Sequence, residues 1–157
     1  MSSSITQSVD VQVPVRVAYD QWTQFESFPE FMEGVEEVRQ IDDTHLHWKA
    51  DVAGRTEEWD AEITQQEPDM RIAWTSTSGA KNGGVVTFHR IEDELTRVTL
   101  QMDWEPQGLI ENMGEKLGFD ERRVKGDLER FKTFIEERGA ATGAWRGTVE
   151  QTDVTGS

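Results

Sequence analysis

Cysteine is absent from the 157 residues, which excludes disulfide bonds and thiolate metal sites alike and fits a reducing compartment. Long apolar runs are missing too. None approaches the ~18 residues that a membrane-spanning helix requires. The opening Met1-Ser2-Ser3-Ser4 carries neither basic residues nor an apolar stretch, so no secretory signal is expected and a cytoplasmic protein is. Basic residues are scarce: 16 Lys and Arg face 31 Asp and Glu, for a net charge of −15. That field repels phosphate backbones and anionic membrane faces, so nucleic acid is excluded as a partner. The charge solubilises the surface; adaptation to high salt or attraction to a basic partner are its other readings.

Several chemistries lack their residues. No Gly-x-Ser-x-Gly elbow occurs, and no Ser/His/Asp order has supporting context. The stretch Ser78-Gly79-Ala80-Lys81-Asn82-Gly83-Gly84 is glycine-rich but lacks the Gly-Lys-Ser/Thr ending of a phosphate cradle, so a flexible hairpin loop is expected there. His45 and His47 share a strand face, and His89 is a third imidazole. Their parity opposes that of Trp48, so they are expected in solvent and no metal site is expected. No cofactor is expected either.

Tryptophan, in contrast, is abundant: six residues, each large, rigid and costly to leave exposed. Ile5 to Val13 alternate as a half-buried strand. Pro14 ends it and presets a helix on which Val15, Ala18, Tyr19, Trp22 and Phe25 form one stripe. Ser27-Phe28-Pro29-Glu30 has the spacing of a capping box, which predicts a second short helix closed by Gly34. From Val35 to Glu105 the pattern has period two, broken at Asp42-Asp43, Ala53-Gly54, Pro68-Asp69, Ser78 to Gly84 and Glu92 to Glu94. These are hairpin signals with no room for crossover helices, so the sheet is predicted antiparallel. One parity collects Leu46, Trp48, Trp59, Ala61, Ile63, Ile72, Trp74, Val86, Phe88, Val98, Leu100, Met102 and Trp104. The other carries charge, as in a sheet covered on one side.

After Pro106, apolar residues from Ile110 to Ile135 recur at three- and four-residue steps. Gly118 and Asp120 predict a break between a first piece near 108–117 and a main helix near 120–138, with Gly139 as its stop. A domain over 1–138 and a flexible tail over 139–157 follow. Trp145 is either a stray aromatic in that tail or a residue that docks it back.

The order of these elements resembles the START/Bet v 1-like (SRPBCC) superfamily, and within it the bacterial polyketide cyclase/dehydrase branch. The likeness is carried by Val13-Pro14-Val15-Arg16-Val17-Ala18-Tyr19-Asp20-Gln21-Trp22, by Phe25-Glu26-Ser27-Phe28-Pro29-Glu30-Phe31-Met32 with Gly34-Val35, by Trp59-Asp60-Ala61-Glu62-Ile63, by Arg71-Ile72-Ala73-Trp74, and by Leu128-Glu129-Arg130-Phe131-Lys132. It spans roughly residues 5–138. The resemblance implies an α+β helix-grip fold, with a curved antiparallel sheet of about seven strands around a long C-terminal helix.

Such folds leave a cavity between sheet and helix that takes lipids, quinones or polyketides. Inward parity makes Trp48, Trp59, Trp74, Phe88, Met102 and Trp104 the candidate lining, with Met113 and Leu117 facing them from the helix. Asp60 and Glu62 are weak candidates for acid–base catalysis, with Asp103 the other strand carboxylate near the tryptophans; parity turns all three outward. Arg55, Arg71 and Arg90 are candidates to steer an anionic headgroup. Gly114 and Gly118 are expected to let the first helical piece gate the cavity near Asn82. Binding or carriage of a hydrophobic small molecule is the favoured function. A cyclase/dehydratase and a protein-interaction or chaperone-regulator module are the alternatives, and monomer and dimer are both open.

Overall fold

The computed structural model describes residues 3–32, 34–52, 55–79, 81–105 and 121–149. Strand β1 (Ser3–Val11) leads into helix α1 (Val15–Trp22) and a 3-10 helix (Phe25–Glu30). Six strands follow: β2 (Val35–Gln40), β3 (His45–Val52), β4 (Arg55–Glu67), β5 (Arg71–Gly79), β6 (Lys81–Glu92) and β7 (Leu95–Glu105). Helix α2 spans Glu121–Arg138. The strands form one antiparallel sheet in the order β1-β7-β6-β5-β4-β3-β2, so the first strand closes the meander against the last. The helix-grip architecture expected from the sequence is therefore the one observed. Among the described residues no helix is long and apolar enough to cross a membrane.

The second short helix differs from expectation. Ser27 and Glu30 lie inside the 3-10 helix, which opens at Gln24 without a side-chain cap, so the capping box does not form. The reason is the spacing of the aromatics. Phe25, Phe28 and Phe31 are three residues apart, and only three residues per turn puts all of them on one face. All three are buried.

The sheet curls because its register shifts. Bulges fall between Val35 and Glu37, Asp60 and Ala61, Ile63 and Gln65, and Arg90 and Glu92. Each adds local twist and re-aims side chains. After the shift at Ile63, Gln66 and not Gln65 is the buried residue. The expected loop over 78–84 is largely strand: β5 runs to Gly79 and β6 begins at Lys81. β5 and β6 pair as far as Thr75 and Gly83. Past that point β5 stays bonded to β4 and β6 to β7, and the Asn82 backbone amide donates to Ser76 Oγ at 3.1 Å. Gly84 lies opposite Trp74, and an added Cβ would stand 2.9 Å from the indole ring atoms. The missing side chain is the space in which Trp74 lies.

Helix α2 buries Val124, Leu128, Phe131 and Ile135, the predicted stripe, and packs on β1. It ends where the Gly139 amide donates to the Ile135 carbonyl at 2.8 Å.

Residues 139–149 correct the expectation of a flexible tail over that span. They return along α1 as a strap. The Thr142 amide donates to Gln21 Oε1 at 2.8 Å and the Trp145 amide to Thr23 Oγ1 at 3.1 Å. Val149 exchanges both backbone hydrogen bonds with Gln66, at 2.8 and 2.9 Å. Arg146 bridges Asp20 on α1 and Asp69 in the β4–β5 turn, the latter at 2.8 Å, with its guanidinium over the Tyr19 ring. Docking of Trp145, one of the two sequence readings, is what the structure shows. Because the Asp20 side chain is only 11% exposed, removing Arg146 leaves a largely buried carboxylate with only the longer contact to the exposed Arg16, at 3.7 Å. Arg146→Ala is expected to destabilise the protein by about 2 kcal/mol. It should also free the Gln66 and Val149 amides to exchange; a melting curve and hydrogen exchange check both, and unchanged protection at Val149 would contradict the role given to Arg146.

Candidate functional site

One end of the sheet, beside Trp74 and Asn82, holds a largely apolar cavity of about 60 Å³. Its wall takes Trp22, Phe25, Phe28 and Met32 from the segment after β1, Leu46, Trp48, Trp59, Ile63, Ile72, Trp74, Leu100 and Met102 from the sheet, and Val124 from α2. The cavity exists because large rings here brace one another and cannot collapse into it. Trp48 and Trp59, directly opposed on β3 and β4, stack 5.8 Å apart with planes 9° from parallel. Phe28 leans on Trp48 at 5.6 Å, Trp22 on Phe28 at 5.5 Å, and Phe131 of α2 on Trp22 at 4.9 Å.

Of the candidate lining, the structure brings Trp48, Trp59, Trp74 and Met102 together on this wall. Phe88 is a correction. It is buried beside Tyr19 (5.4 Å) and Trp22 (6.4 Å), in the closed core and not on the wall. Its strand pairs with α1 overhead, and an aromatic beneath a helix fills core whatever its parity. The side chain of Trp104, and Met113, Leu117, Gly114 and Gly118 altogether, lie outside the described residues.

Three polar side chains reach the described wall: Asn82 from the start of β6, and Arg123 and Asp127 one turn apart on α2. Sequence reading passed over Arg123 and Asp127 because charges beside an apolar stripe normally face water. The available signal was Gly34. A Cβ there would run into the Arg123 guanidinium, so the positive-φ glycine leaves room for the arginine to cross from α2 toward β2. Arg130 anchors the same region, its Nε–H donating to the Phe31 carbonyl at 3.0 Å and its guanidinium pairing with Asp127.

Asp60 and Glu62, the catalytic candidates, are on the opposite face of the sheet from the cavity. Asp103 is exposed there as well. Asp60 belongs to an outer-face network: its Oδ1 is 2.7 Å from His47 Nδ1, its Oδ2 accepts from Ser78 Oγ at 2.9 Å, and His47 Nε2 is 2.8 Å from Glu58 Oε1. His45 is held by Asp42 in the β2–β3 turn. Arg71 pairs with Glu67 and Arg90 with Asp93, so neither faces the cavity; the Arg55 side chain is outside the described residues. Among the described residues no group of His, Asp and Glu is placed to hold a metal ion.

The outer network has a definite pH signature. Hydrogen bonds that the imidazolium donates to Asp60 and then to Glu58 hold the His47 pKa above its ordinary 6.5. The same bond, with Ser78, lowers the Asp60 carboxyl below 3.8. A raised histidine stabilises the fold fully below its unfolded pKa, and that contribution is lost as pH rises through the folded value. A lowered aspartate contributes above its unfolded pKa and loses its contribution as pH falls through the folded one. The pair therefore supports the fold most between about pH 4 and 6.5. An NMR titration should place the His47 midpoint above 6.5, and Asp60→Asn should bring it down. A midpoint that ignores Asp60→Asn would refute the coupling.

Comparison with known proteins agrees with this geometry. Residues 11–133 match the family described as polyketide cyclase/dehydrase and lipid transport. An uncharacterized 17.2 kDa protein of Streptomyces lincolnensis is 57% identical over 148 residues, covering 94% of this chain and 99% of that one. Among solved structures, a Deinococcus radiodurans protein superposes with a TM-score of 0.70 at 25% identity, covering 87% of this chain and 98% of its own. The ZhuI aromatase/cyclase of Streptomyces sp. R1128 superposes at 0.76 with 15% identity, over 92% and 100%. A START superfamily protein of Mycobacterium smegmatis does so at 0.65 with 15% identity, over 86% and 95%. With the match over most of its length, the chain belongs to the family described as polyketide cyclase/dehydrase and lipid transport, and its sheet and gripping helix have the fold of these structures.

Proposed function

We propose that the protein binds and carries a hydrophobic small molecule in the cavity between sheet and α2. The observation that carries this reading is the division of chemistry across the sheet. The cavity side holds the stacked indoles and aliphatic side chains, while Asp60, Glu62 and the histidines sit on the far face. An apolar wall with a few polar groups is what recognises a largely apolar ligand. Met32 and Met102 let that wall adapt, since unbranched thioethers change rotamer at little cost.

A second reading, polyketide cyclisation or dehydration, is supported by the family and by Asn82, Arg123 and Asp127 on the wall. Those groups, and not Asp60 or Glu62, are then the ones that meet substrate. Catalytic competence would show as turnover of a poly-β-keto thioester that Asp127→Asn abolishes.

Delipidated protein titrated with a fatty acid, a quinone and an aromatic polyketide should show saturable tryptophan quenching with at least one class. At a ligand concentration a hundredfold above Kd the fold should gain about 2.7 kcal/mol, read as a rise in Tm. Absence of any saturable response with all three would overturn the reading.

A further inference from the structure

Trp48 is nine-tenths buried and lines the cavity, yet its indole Nε1 is buried without a hydrogen-bond partner. An indole N–H can only donate, and it is fixed in the ring plane, so it cannot turn toward another role. The ring itself is clamped, stacked on Trp59 and braced by Phe28. Buried indole N–H groups usually find an acceptor, and one left without a partner in a native structure calls for an explanation. A phenylalanine would offer these neighbours an aromatic face with no stranded donor. The donor is thus a feature that packing alone does not require, on the sheet side of a wall whose charged and amide side chains, Asn82, Arg123 and Asp127, come from the start of β6 and from α2.

We propose that Trp48 determines ligand specificity: the cavity takes apolar molecules that carry a hydrogen-bond acceptor oxygen, a carbonyl or ether, and the Trp48 N–H donates to it. This rests on the reading that the cavity binds hydrophobic molecules, and it adds a discrimination that the apolar wall cannot make. A hydrocarbon of the same shape fills the cavity equally well but leaves the donor unpaired. The discrimination is the one net hydrogen bond that the oxygen-bearing ligand gains and the hydrocarbon does not.

The test uses 1-indanone and indane, which have one ring skeleton and differ at one position, a carbonyl against a methylene. Binding of each to the full chain is measured in parallel for wild type, Trp48→Phe and Trp74→Phe. The affinity ratio of ketone to hydrocarbon should fall about five-fold in Trp48→Phe, the factor of one net hydrogen bond, and stay unchanged in Trp74→Phe. A readout that needs no variant to fold is the indole region of a ¹⁵N–¹H spectrum, where the Trp48 Nε1–H peak should move downfield with 1-indanone and not with indane. Equal ratios in wild type and Trp48→Phe, or an equal response of the Trp48 peak to both compounds, would overturn the inference and leave the cavity reading intact. Failure of both compounds to bind would remove the cavity reading and the inference with it.

Discussion

The structure depends on one continuous contact between aromatic rings that crosses from helix to sheet. Phe131 of α2 meets Trp22 of α1, Trp22 meets Phe28 of the 3-10 helix, Phe28 meets Trp48 of β3, and Trp48 stacks on Trp59 of β4. Aromatic pairs contribute on the order of 1 kcal/mol each beyond the area they bury, and their larger effect here is geometric. Rigid rings in tilted and edge contact hold the sheet and helix apart at one end. Beneath α1 the packing closes, with Tyr19 and Phe88 in edge contact at 5.4 Å and Ala18, Val86 and Val98 fully buried. The cavity therefore follows from how the rings brace one another and not from ring size alone.

The backbone contributes as well. The bulges in β4 add local twist and re-aim its side chains just after Trp59 and Ile63. Gly84 lets Trp74 lie against its own sheet, and Gly34 leaves room for the Arg123 guanidinium. Both glycines are substitutions of space for a side chain, made where a larger neighbour needs the room. Polar groups gather in three places: the wall positions on α2 and β6, the strap's contacts with Asp20, Gln21, Thr23 and Gln66, and the outer face, where His47 ties Asp60 and Glu58 together.

How far the sequence announced this differs by feature. The strands and the stripe of α2 were legible because periodicity reports directly which face is buried, and Trp48, Trp59, Trp74 and Met102 follow from parity alone. Parity failed at Gln66, where a bulge moved the register, since nothing local in Thr64-Gln65-Gln66 distinguishes a bulge from a strand. It also could not separate wall from core: Phe88 obeys the same alternation as Trp74, but α1 covers one and not the other. The cavity's helical side was illegible for a related reason. Trp22, Phe25, Phe28 and Met32 read as the core of short helices, and their exposure to the cavity depends on where those helices dock. Arg123 and Asp127 look like solvated charges beside a stripe until Gly34 shows where the arginine goes.

The strap explains why the helical side of the wall holds its position. A 3-10 helix has poorer hydrogen-bond geometry than an α-helix and rarely stands without external support. Here Phe25, its first residue, faces the cavity on one side and an outer cleft edged by Trp145 on the other. The residues just before it are fastened from outside: Gln21 by Thr142, and Thr23 by the Trp145 amide while its own hydroxyl donates to the Asp20 carbonyl at 2.6 Å. Asp20 in turn is paired with Arg146. Docking of 139–149 and the placement of the cavity wall are therefore parts of one network, in which Arg146 is ionic and Trp22 is apolar. Weakening the first loosens the end of α1, and the end of α1 carries the ring on which Phe28, and through it Trp48, is seated.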